Sequence, residues 1–252
     1  MITISNLTKF FGKLTAVDRL TMQIESGELF GFLGPNGAGK TTTINMLTGL
    51  IRPTAGTATI CGYDIKTQGL QAKALTGLMP DTPYIYDTLT GRQYVRFMAD
   101  LYEIPSQRSE RRMAELLEML DLVDAGDELI KSYSYGMQKK ILLTAVLVHE
   151  PRVLFLDEPT SGLDPKSART VKEILRLLCD RGCTVFMSTH ILEIAERVCD
   201  RIGIINEGKL VTVGTMDELR QDNTAVDRNL EEIFLELTGD VEDREMVKIL
   251  SE

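Results

Sequence analysis

The chain has 252 residues, of which 43% are hydrophobic, and its formal net charge at pH 7 is -9. This length fits an α/β unit with an insertion and a core large enough to fold without disulfides. The acidic balance argues against a nucleic-acid partner, because a protein that neutralises phosphates needs excess positive charge.

No stretch of the sequence predicts a membrane span or a secretory signal. The longest apolar runs, such as 141–148, fall far short of the roughly 18–20 residues that cross a bilayer. The first residues carry neither a basic segment nor a signal-like apolar core. The four cysteines form no C-x-x-C pair, which favours free thiols in a reducing compartment over a zinc site. We therefore expect a cytoplasmic chain that reaches a membrane only through a partner.

Short strands and a glycine-rich loop open the chain. Apolar and polar residues alternate at 2–4, 20–24 and 57–60, which is typical of strands. Another apolar run, 28–33, leads into a loop that matches G-x-x-x-x-G-K-[ST], and a helical stretch follows at 42–47. The loop and the residue after it are Gly34, Pro35, Asn36, Gly37, Ala38, Gly39, Lys40, Thr41 and Thr42.

Strand, glycine loop and helix together predict a nucleoside-triphosphate site. The glycines let backbone N–H groups point at a polyphosphate, and the N-terminus of the helix adds positive potential. We expect Lys40 to reach the β- and γ-phosphates and the Thr41 hydroxyl to hold Mg²⁺.

Helical periodicity dominates from about residue 89 to 149. Met113, Leu116, Leu117 and Leu120 share one face after a charged lead-in. Further on, Ser134 and Gly136 open a strongly apolar helix, where the Ser hydroxyl and free N–H groups form another candidate anion site. The alternative is an ordinary helix that Ser134 caps.

Residues 150–214 again alternate between predicted strands and helices, and two of the strands are followed by candidate catalytic or metal-binding residues. The all-apolar run 153–156 predicts a buried parallel strand that ends at Asp157, the place for a Mg²⁺ ligand, and Glu158 follows as the candidate general base. A second buried strand, 184–187, precedes His190, which is expected to point into the same crevice.

The remaining elements follow from capping and periodicity. Asp164 and Pro165 predict the start of a helix, whose apolar face carries Val171, Ile174, Leu175 and Leu178. A further buried strand is predicted at 202–205, and residues 215–252 read as a charged, amphipathic tail.

These motifs resemble the ATP-binding subunit of ABC transporters, over about residues 2 to 215. The resemblance implies an α/β P-loop NTPase core with an antiparallel β-subdomain and an inserted α-helical subdomain. It divides the chain into a catalytic core with its β-subdomain (1–80 and 150–214), a Q-loop and helical subdomain with the signature motif (81–149), and a C-terminal extension (215–252). It implies ATP and Mg²⁺ as cofactors.

The resemblance also gives individual residues roles. Asp157 matches the magnesium aspartate, Glu158 the catalytic glutamate, His190 the switch histidine, and 161–164 the loop at the dimer contact. Phe11 matches the aromatic that stacks on adenine, with Phe10 as a competing candidate. Ser134 and Gly136 match the phosphate-contacting residues of the signature.

The sequence departs from the family pattern in two places. The signature, usually Leu-Ser-Gly-Gly-Gln, is Tyr133-Ser134-Tyr135-Gly136-Met137 here and differs at its first, third and fifth positions. Asp81 stands where the family has the Q-loop glutamine. A carboxylate there still suits Mg²⁺, so Asp81 is a third candidate metal ligand beside Thr41 and Asp157. The alternative is a solvated turn residue before Pro83.

The expected function is ATP hydrolysis that drives substrate movement, with export as the direction, through a separate transmembrane permease. Two ATP-binding subunits close head-to-tail around ATP, on the inner face of the membrane. Four tyrosines are candidates for the permease surface: Tyr84, Tyr86, Tyr94 and Tyr102. The alternative is that some of them fill the core of the helical subdomain. Residues 229–239 look like the ending of exporter-type subunits, although an amphipathic helix packed on its own domain explains them too. The alternative function is a soluble ABC ATPase acting on ribosomes or DNA.

Overall fold

Ten strands, nine α-helices and two short 3₁₀ helices (Asp124–Asp127 and Ile130–Ser132) lie within residues 1–222 and 229–239, the part of the chain that this computed structural model describes. The strands are β1 (Ile2–Phe11), β2 (Leu14–Ile24), β3 (Leu29–Leu33), β4 (Ala55–Ile60), β5 (Tyr63–Asp64), β6 (Thr76–Met79), β7 (Val153–Asp157), β8 (Thr184–Thr189), β9 (Arg201–Asn206) and β10 (Lys209–Gly214). The helices are α1 (Lys40–Leu47), α2 (Gly69–Ala74), α3 (Gly91–Leu101), α4 (Ser106–Met119), α5 (Tyr135–Leu147), α6 (Pro165–Asp180), α7 (Leu192–Val198), α8 (Met216–Asp222) and α9 (Leu230–Thr238).

A six-stranded sheet of order β10-β9-β3-β8-β7-β6 forms the centre, parallel except for β10. Its middle strands β3, β7 and β8 are buried at every residue, as expected for a sheet covered on both faces. Leu33 pairs with Thr189 and Asp157 with Ser188 across β8. The segments that follow β3, β7 and β8 therefore leave the sheet at one edge.

A second, antiparallel sheet of order β2-β1-β4-β5 packs beside the first. Ile2, Ile4 and Leu7 of β1 are buried in one apolar cluster with Phe30 and Phe32 of β3. The predicted α/β core with an antiparallel β-subdomain is confirmed. The strands are longer than the alternation of apolar and polar residues predicted. For example, β1 extends to Phe11, because hydrogen bonding to β2 and β4 continues beyond the alternating residues.

The inserted helices α3, α4 and α5 lie between β6 and β7 in the chain. The predicted α4 face is confirmed, because Met113, Leu116, Leu117 and Leu120 are all buried. Burying each such side chain contributes roughly 1.5–3 kcal/mol relative to exposure. The boundaries of the three predicted segments stay predictions.

The four tyrosines of the candidate permease surface separate into two groups. Tyr84 and Tyr86 are exposed, at 82% and 59%. Tyr94 is buried in the core with α4 and α5, and Tyr102 stacks on His149 with ring centroids 3.7 Å apart. Tyr94 therefore fills the core of the helical subdomain, the alternative to the permease surface, because its position on α3 faces the other helices.

Helix α6 begins as predicted, and one residue of its apolar face differs. The Asp164 carboxylate accepts a hydrogen bond from the Ser167 N–H at 3.0 Å, and Pro165 occupies the first turn. Cys179 is fully buried, whereas Leu178 is only partly buried against the core. The helical period of 3.6 residues places both residue 178 and residue 179 near the core, and the packing against neighbouring elements determines which of the two is buried.

The described part of the tail packs on its own domain. Leu230 and Ile233 of α9 are buried in a cluster with Leu33 and Ile202 of the central sheet. The predicted tail also includes residues 223–228 and 240–252, which lie outside the described residues.

Candidate active site

The glycine-rich loop joins β3 to α1 and has a backbone that only glycine tolerates. Gly37 and Gly39 adopt φ angles of 81° and 108°. A Cβ at Gly39 would lie 2.5 Å from the Ala16 carbonyl oxygen, and one at Gly34 would lie 2.4 Å from that of Ile205. The loop thus curls tightly against β2 and β9, while space stays open above Gly37. This shape is a cradle for an anion at the N-terminus of α1.

Lys40 is the buried cation of this cradle. Its Nζ donates hydrogen bonds to the carbonyl oxygens of Gly34 at 2.6 Å and Pro35 at 3.1 Å. Burial lowers the pKa of Lys40, and the carboxylates of Glu158 and Asp157 oppose that effect. The ammonium is therefore held inside the loop that would surround a phosphate.

Asp157 lies at the end of β7, and its carboxylate accepts hydrogen bonds from two hydroxyl groups. Thr41 Oγ1 donates to Asp157 Oδ2 at 2.6 Å, and Ser188 Oγ donates to Asp157 Oδ1. The sequence did not single out Ser188, and its contact follows from its pairing with Asp157 across β7 and β8. Ser188 orients the carboxylate so that its other oxygen faces Thr41.

The Thr41 and Asp157 pair fits a magnesium ion. Mg²⁺ prefers oxygen ligands and takes one or two protein carboxylates together with phosphate and water. Both residues line the same cleft as Lys40. Among residues 1–222 and 229–239, no group of three or more His, Cys, Asp or Glu side chains could hold a metal ion. Apart from Asp81, which lines the same cleft, further ligands would be phosphate and water oxygens.

Glu158 has an unusual backbone and a half-paired carboxylate. Its φ is 50°, and its N–H donates to the Ser188 carbonyl oxygen at 3.2 Å. Glu158 Oε1 lies 2.9 Å from Nδ1 of the half-exposed His190 side chain. Glu158 Oε2 is buried without a hydrogen-bond partner. One carboxylate oxygen is thus oriented by a histidine, and the other is free to accept a proton from a water molecule.

An open cleft of about 700 Å³ collects most of the predicted site residues. Its lining includes Asn36, Gly37, Gly39, Lys40, Thr41, Thr42, Asp81, Asp157 and Glu158. Phe11 lines the cleft and Phe10 does not, although both rings are about half-exposed. The structure therefore favours Phe11 of the two candidates. Leu14, Thr15, Ala16 and Glu207 also line it, and no sequence signal indicated them.

Ser134 and Gly136, the candidate residues at the start of α5, lie outside this cleft. Ser134 caps α5 by accepting a hydrogen bond from the Met137 N–H at 3.3 Å, and its side chain is exposed. Neither residue lines the cleft. Gly136 lies beside Leu163, 3.6 Å from the position of an added Cβ. One chain therefore presents two separate candidate anion sites.

Asp81 lies at the cleft with one carboxylate oxygen paired. Asp81 Oδ1 is 3.3 Å from Nζ of Lys139, a buried lysine on α5 that the sequence did not single out. The other carboxylate oxygen remains available, so the metal-ligand role of Asp81 stays a prediction.

Within the described residues, none of the helices combines the length and the apolar character needed to cross a membrane.

Comparison with known proteins agrees with this geometry. The family model described as ABC transporter matches residues 17–161. The linearmycin resistance ATP-binding protein LnrL of Bacillus subtilis (strain 168) is 38% identical over 219 residues, covering 87% of this chain and 70% of that protein. The Nod factor export ATP-binding protein I of Burkholderia orbicola (strain AU 1054) is 36% identical over 226 residues, covering 90% and 74%.

A solved structure of an ATP-binding subunit of an ABC transporter superposes with a TM-score of 0.90 at 30% identity. The match covers 94% of this chain and 99% of that one.

Proposed function

We propose a catalytic arrangement and a partner for this chain, which belongs to the ABC transporter family and is an ATP-binding, ATP-hydrolysing subunit. The loop from Gly34 to Thr42 holds the triphosphate, with its N–H groups and Lys40 directed at the phosphate oxygens. Phe11, which lines the same cleft, supports the adenine ring. The buried position of Lys40 and the open space above Gly37 support this arrangement.

The metal site of this proposal uses Thr41 and Asp157, with Asp81 as a third candidate. Mg²⁺ neutralises charge on the phosphate oxygens when it is bound. Thr41 and Asp157 already meet at 2.6 Å on the cleft wall, and Ser188 keeps the Asp157 carboxylate turned toward Thr41.

Glu158 is the general base, and this assignment depends on its half-paired carboxylate. The unpartnered Oε2 accepts the proton of the attacking water, while His190 holds Oε1 and fixes the direction of the carboxylate. This oxygen at the edge of the phosphate cleft is the observation that carries the proposal.

A second ATP-binding subunit completes the site. Ser134 and Gly136 lie outside the cleft of their own chain, so they contact a phosphate only when they come from another copy. A head-to-tail pair places this helix N-terminus over the outer face of the γ-phosphate of the other subunit, and hydrolysis removes the shared charge between the two halves.

The partner in the membrane is a separate permease, and export is the direction of transport. The names of two relatives, a resistance protein and an export protein, support that direction. Tyr84 and Tyr86 lie on the segment between β6 and α3 and provide an exposed aromatic surface for the permease. Bound there, the chain lies on the inner face of the membrane. No relative reported above favours the soluble alternative.

Two variants test the catalytic assignment. Glu158→Gln keeps the size and hydrogen-bonding shape of the side chain and removes the base, so kcat should fall by roughly 10²–10⁴-fold while ATP binding persists. Lys40→Ala should lose ATP binding itself. ATPase rates and ATP-analogue titration of both purified variants give the comparison. Parental turnover by Glu158→Gln would show that another group is the base.

A fractionation experiment tests the partner. Where a neighbouring gene encodes a polytopic membrane protein, the chain is expressed with and without that protein, and the membranes are then collected. We expect the chain in the membrane fraction only with that protein, and Tyr84→Glu should weaken its recovery. Recovery with ribosomes instead would support the soluble alternative.

A further inference from the structure

Lys139 is a fully buried lysine in the middle of the nucleotide-binding machinery. It lies on α5, one turn after Ser134, and its side chain has no exposed surface. A buried ammonium is costly unless a counter-charge and hydrogen-bond acceptors surround it. Its partners therefore indicate why the chain keeps a charge there.

Those partners come from three separate segments. Lys139 Nζ donates to the Glu158 carbonyl oxygen at 2.7 Å and lies 3.3 Å from Asp81 Oδ1. It also lies 5.4 Å from the centre of the Tyr135 ring, whose hydroxyl donates to the Asp81 carbonyl oxygen at 3.1 Å. One side chain thus joins the start of α5, the residues after β6 and the residues after β7.

The contact with Glu158 falls where the backbone needs support. A left-handed φ of 50° is uncommon for glutamate, and such residues persist where surrounding contacts hold them. The Glu158 N–H is held by Ser188 and its carbonyl oxygen by Lys139. The two bonds flank the Cα atom from which the Glu158 side chain extends, so together they direct its carboxylate.

We propose that Lys139 is a positioning residue for Glu158, and that Asp81 provides its counter-charge. This inference rests on the proposed function, in which Glu158 is the general base. It also gives the departure at Asp81 a physical reason: an acid is present because a buried lysine lies 3.3 Å away. The second oxygen of Asp81 remains available to other ligands.

The test is steady-state ATPase kinetics of the purified full chain. Lys139→Met removes the charge and the bond to Glu158 while filling the same space. We expect kcat to fall by up to about 10²-fold, the cost of a misplaced catalytic group, with the KM for ATP unchanged because the phosphate loop is untouched. A merely structural loss would lower the folded fraction, which thermal unfolding reports separately.

A double-mutant cycle tests the role of Asp81. Asp81→Asn leaves the buried ammonium without its counter-charge and should lower kcat, whereas Asp81→Glu should retain most of it. In the Lys139→Met background, Asp81→Asn should have no further effect. If the effects of the two substitutions on kcat instead multiply, the proposed pairing of Asp81 with Lys139 is wrong. Thermal unfolding of the Asp81 variants is measured as well, and Asp81→Glu, which keeps the counter-charge of the buried ammonium, provides the comparison if Lys139→Met does not fold.

The exposed ion pair between Lys166 and Asp121 is a matched control, with its atoms 3.4 Å apart. Lys166→Met and Asp121→Asn should leave kcat unchanged. Glu158→Gln is measured alongside. If Glu158→Gln is inactive and Lys139→Met turns over at the parental rate, the role of Lys139 is contradicted while Glu158 remains the proposed base. If Glu158→Gln retains the parental rate, the proposed base itself is wrong.

Discussion

The hydroxyl of Thr41 donates a 2.6 Å hydrogen bond to the carboxylate of Asp157, across 116 residues of sequence. One partner opens the helix after the phosphate loop and the other ends a central strand. Their meeting brings an alcohol and a carboxylate oxygen together, the kind of oxygen ligands that Mg²⁺ prefers.

We expect Thr41→Ala to raise the Mg²⁺ concentration for half-maximal ATPase rate by about 10-fold to 10²-fold, the usual scale for altering a metal site. Thr41→Ser keeps the hydroxyl and should follow the parental curve, so it controls for the altered side chain. A Mg²⁺ titration of ATPase rate at saturating ATP makes the measurement. Equal curves for the parent and Thr41→Ala would remove Thr41 from the metal site.

Asp81 has a separate magnesium prediction. If its free oxygen serves the metal, Asp81→Ala should raise the Mg²⁺ concentration for half-maximal rate more than it weakens ATP binding, and Asp81→Gln, with an amide oxygen, should stay near the parent. Each curve is normalised to its own maximum, which separates this effect from the influence of Lys139 on kcat. Superimposable curves for all three proteins would leave Asp81 without a metal role.

We expect assembly of two subunits to depend on the exposed Ser134. In the Glu158→Gln background, ATP with Mg²⁺ should convert monomer to dimer, because the unhydrolysed γ-phosphate joins the two subunits. Adding Ser134→Arg should block dimerisation by steric and charge conflict, yet leave ATP binding by the monomer intact. Analytical sedimentation with and without ATP decides the matter. A dimer that forms despite Ser134→Arg would place Ser134 outside the interface.

His149 predicts how stability depends on pH. It stacks on Tyr102, and burial lowers its pKa from 6.5 to about 4. Above pH 6.5 the histidine is neutral in both states, so it adds no pH dependence there. Between these two pKa values the unfolded state binds the extra proton, and the free energy of unfolding falls as the pH is lowered.

The matched variant is His149→Phe, which keeps an aromatic ring against Tyr102 and does not titrate. Urea unfolding of both proteins at about pH 7.5 and about pH 5 gives the comparison. The wild type should lose about 1–3 kcal/mol more than the variant over this range. An equal loss in the two proteins would mean that His149 titrates normally in the folded state.

Local patterns in the sequence determined much of the site. The loop from Gly34 to Thr41 is contiguous, so its motif alone predicts a phosphate cradle. Asp157, Glu158 and His190 follow short apolar runs, and strands of a parallel sheet bring their carboxyl ends to one edge. Caps and apolar faces, such as Asp164 and the α4 face, depend on residues within a few positions of each other.

Tertiary structure decided the contacts between distant segments. Phe11 lines the cleft and Phe10 does not because of the path of β1, which local alternation does not specify. Ser188 meets Asp157 through strand register, and Lys139 meets Asp81 and Glu158 because α5 packs over both segments. From the sequence, a lysine within a helical pattern is expected to be exposed to solvent, and only the packing of α5 buries Lys139. Its partners lie 58 and 19 residues away, beyond the range of any helical or strand period.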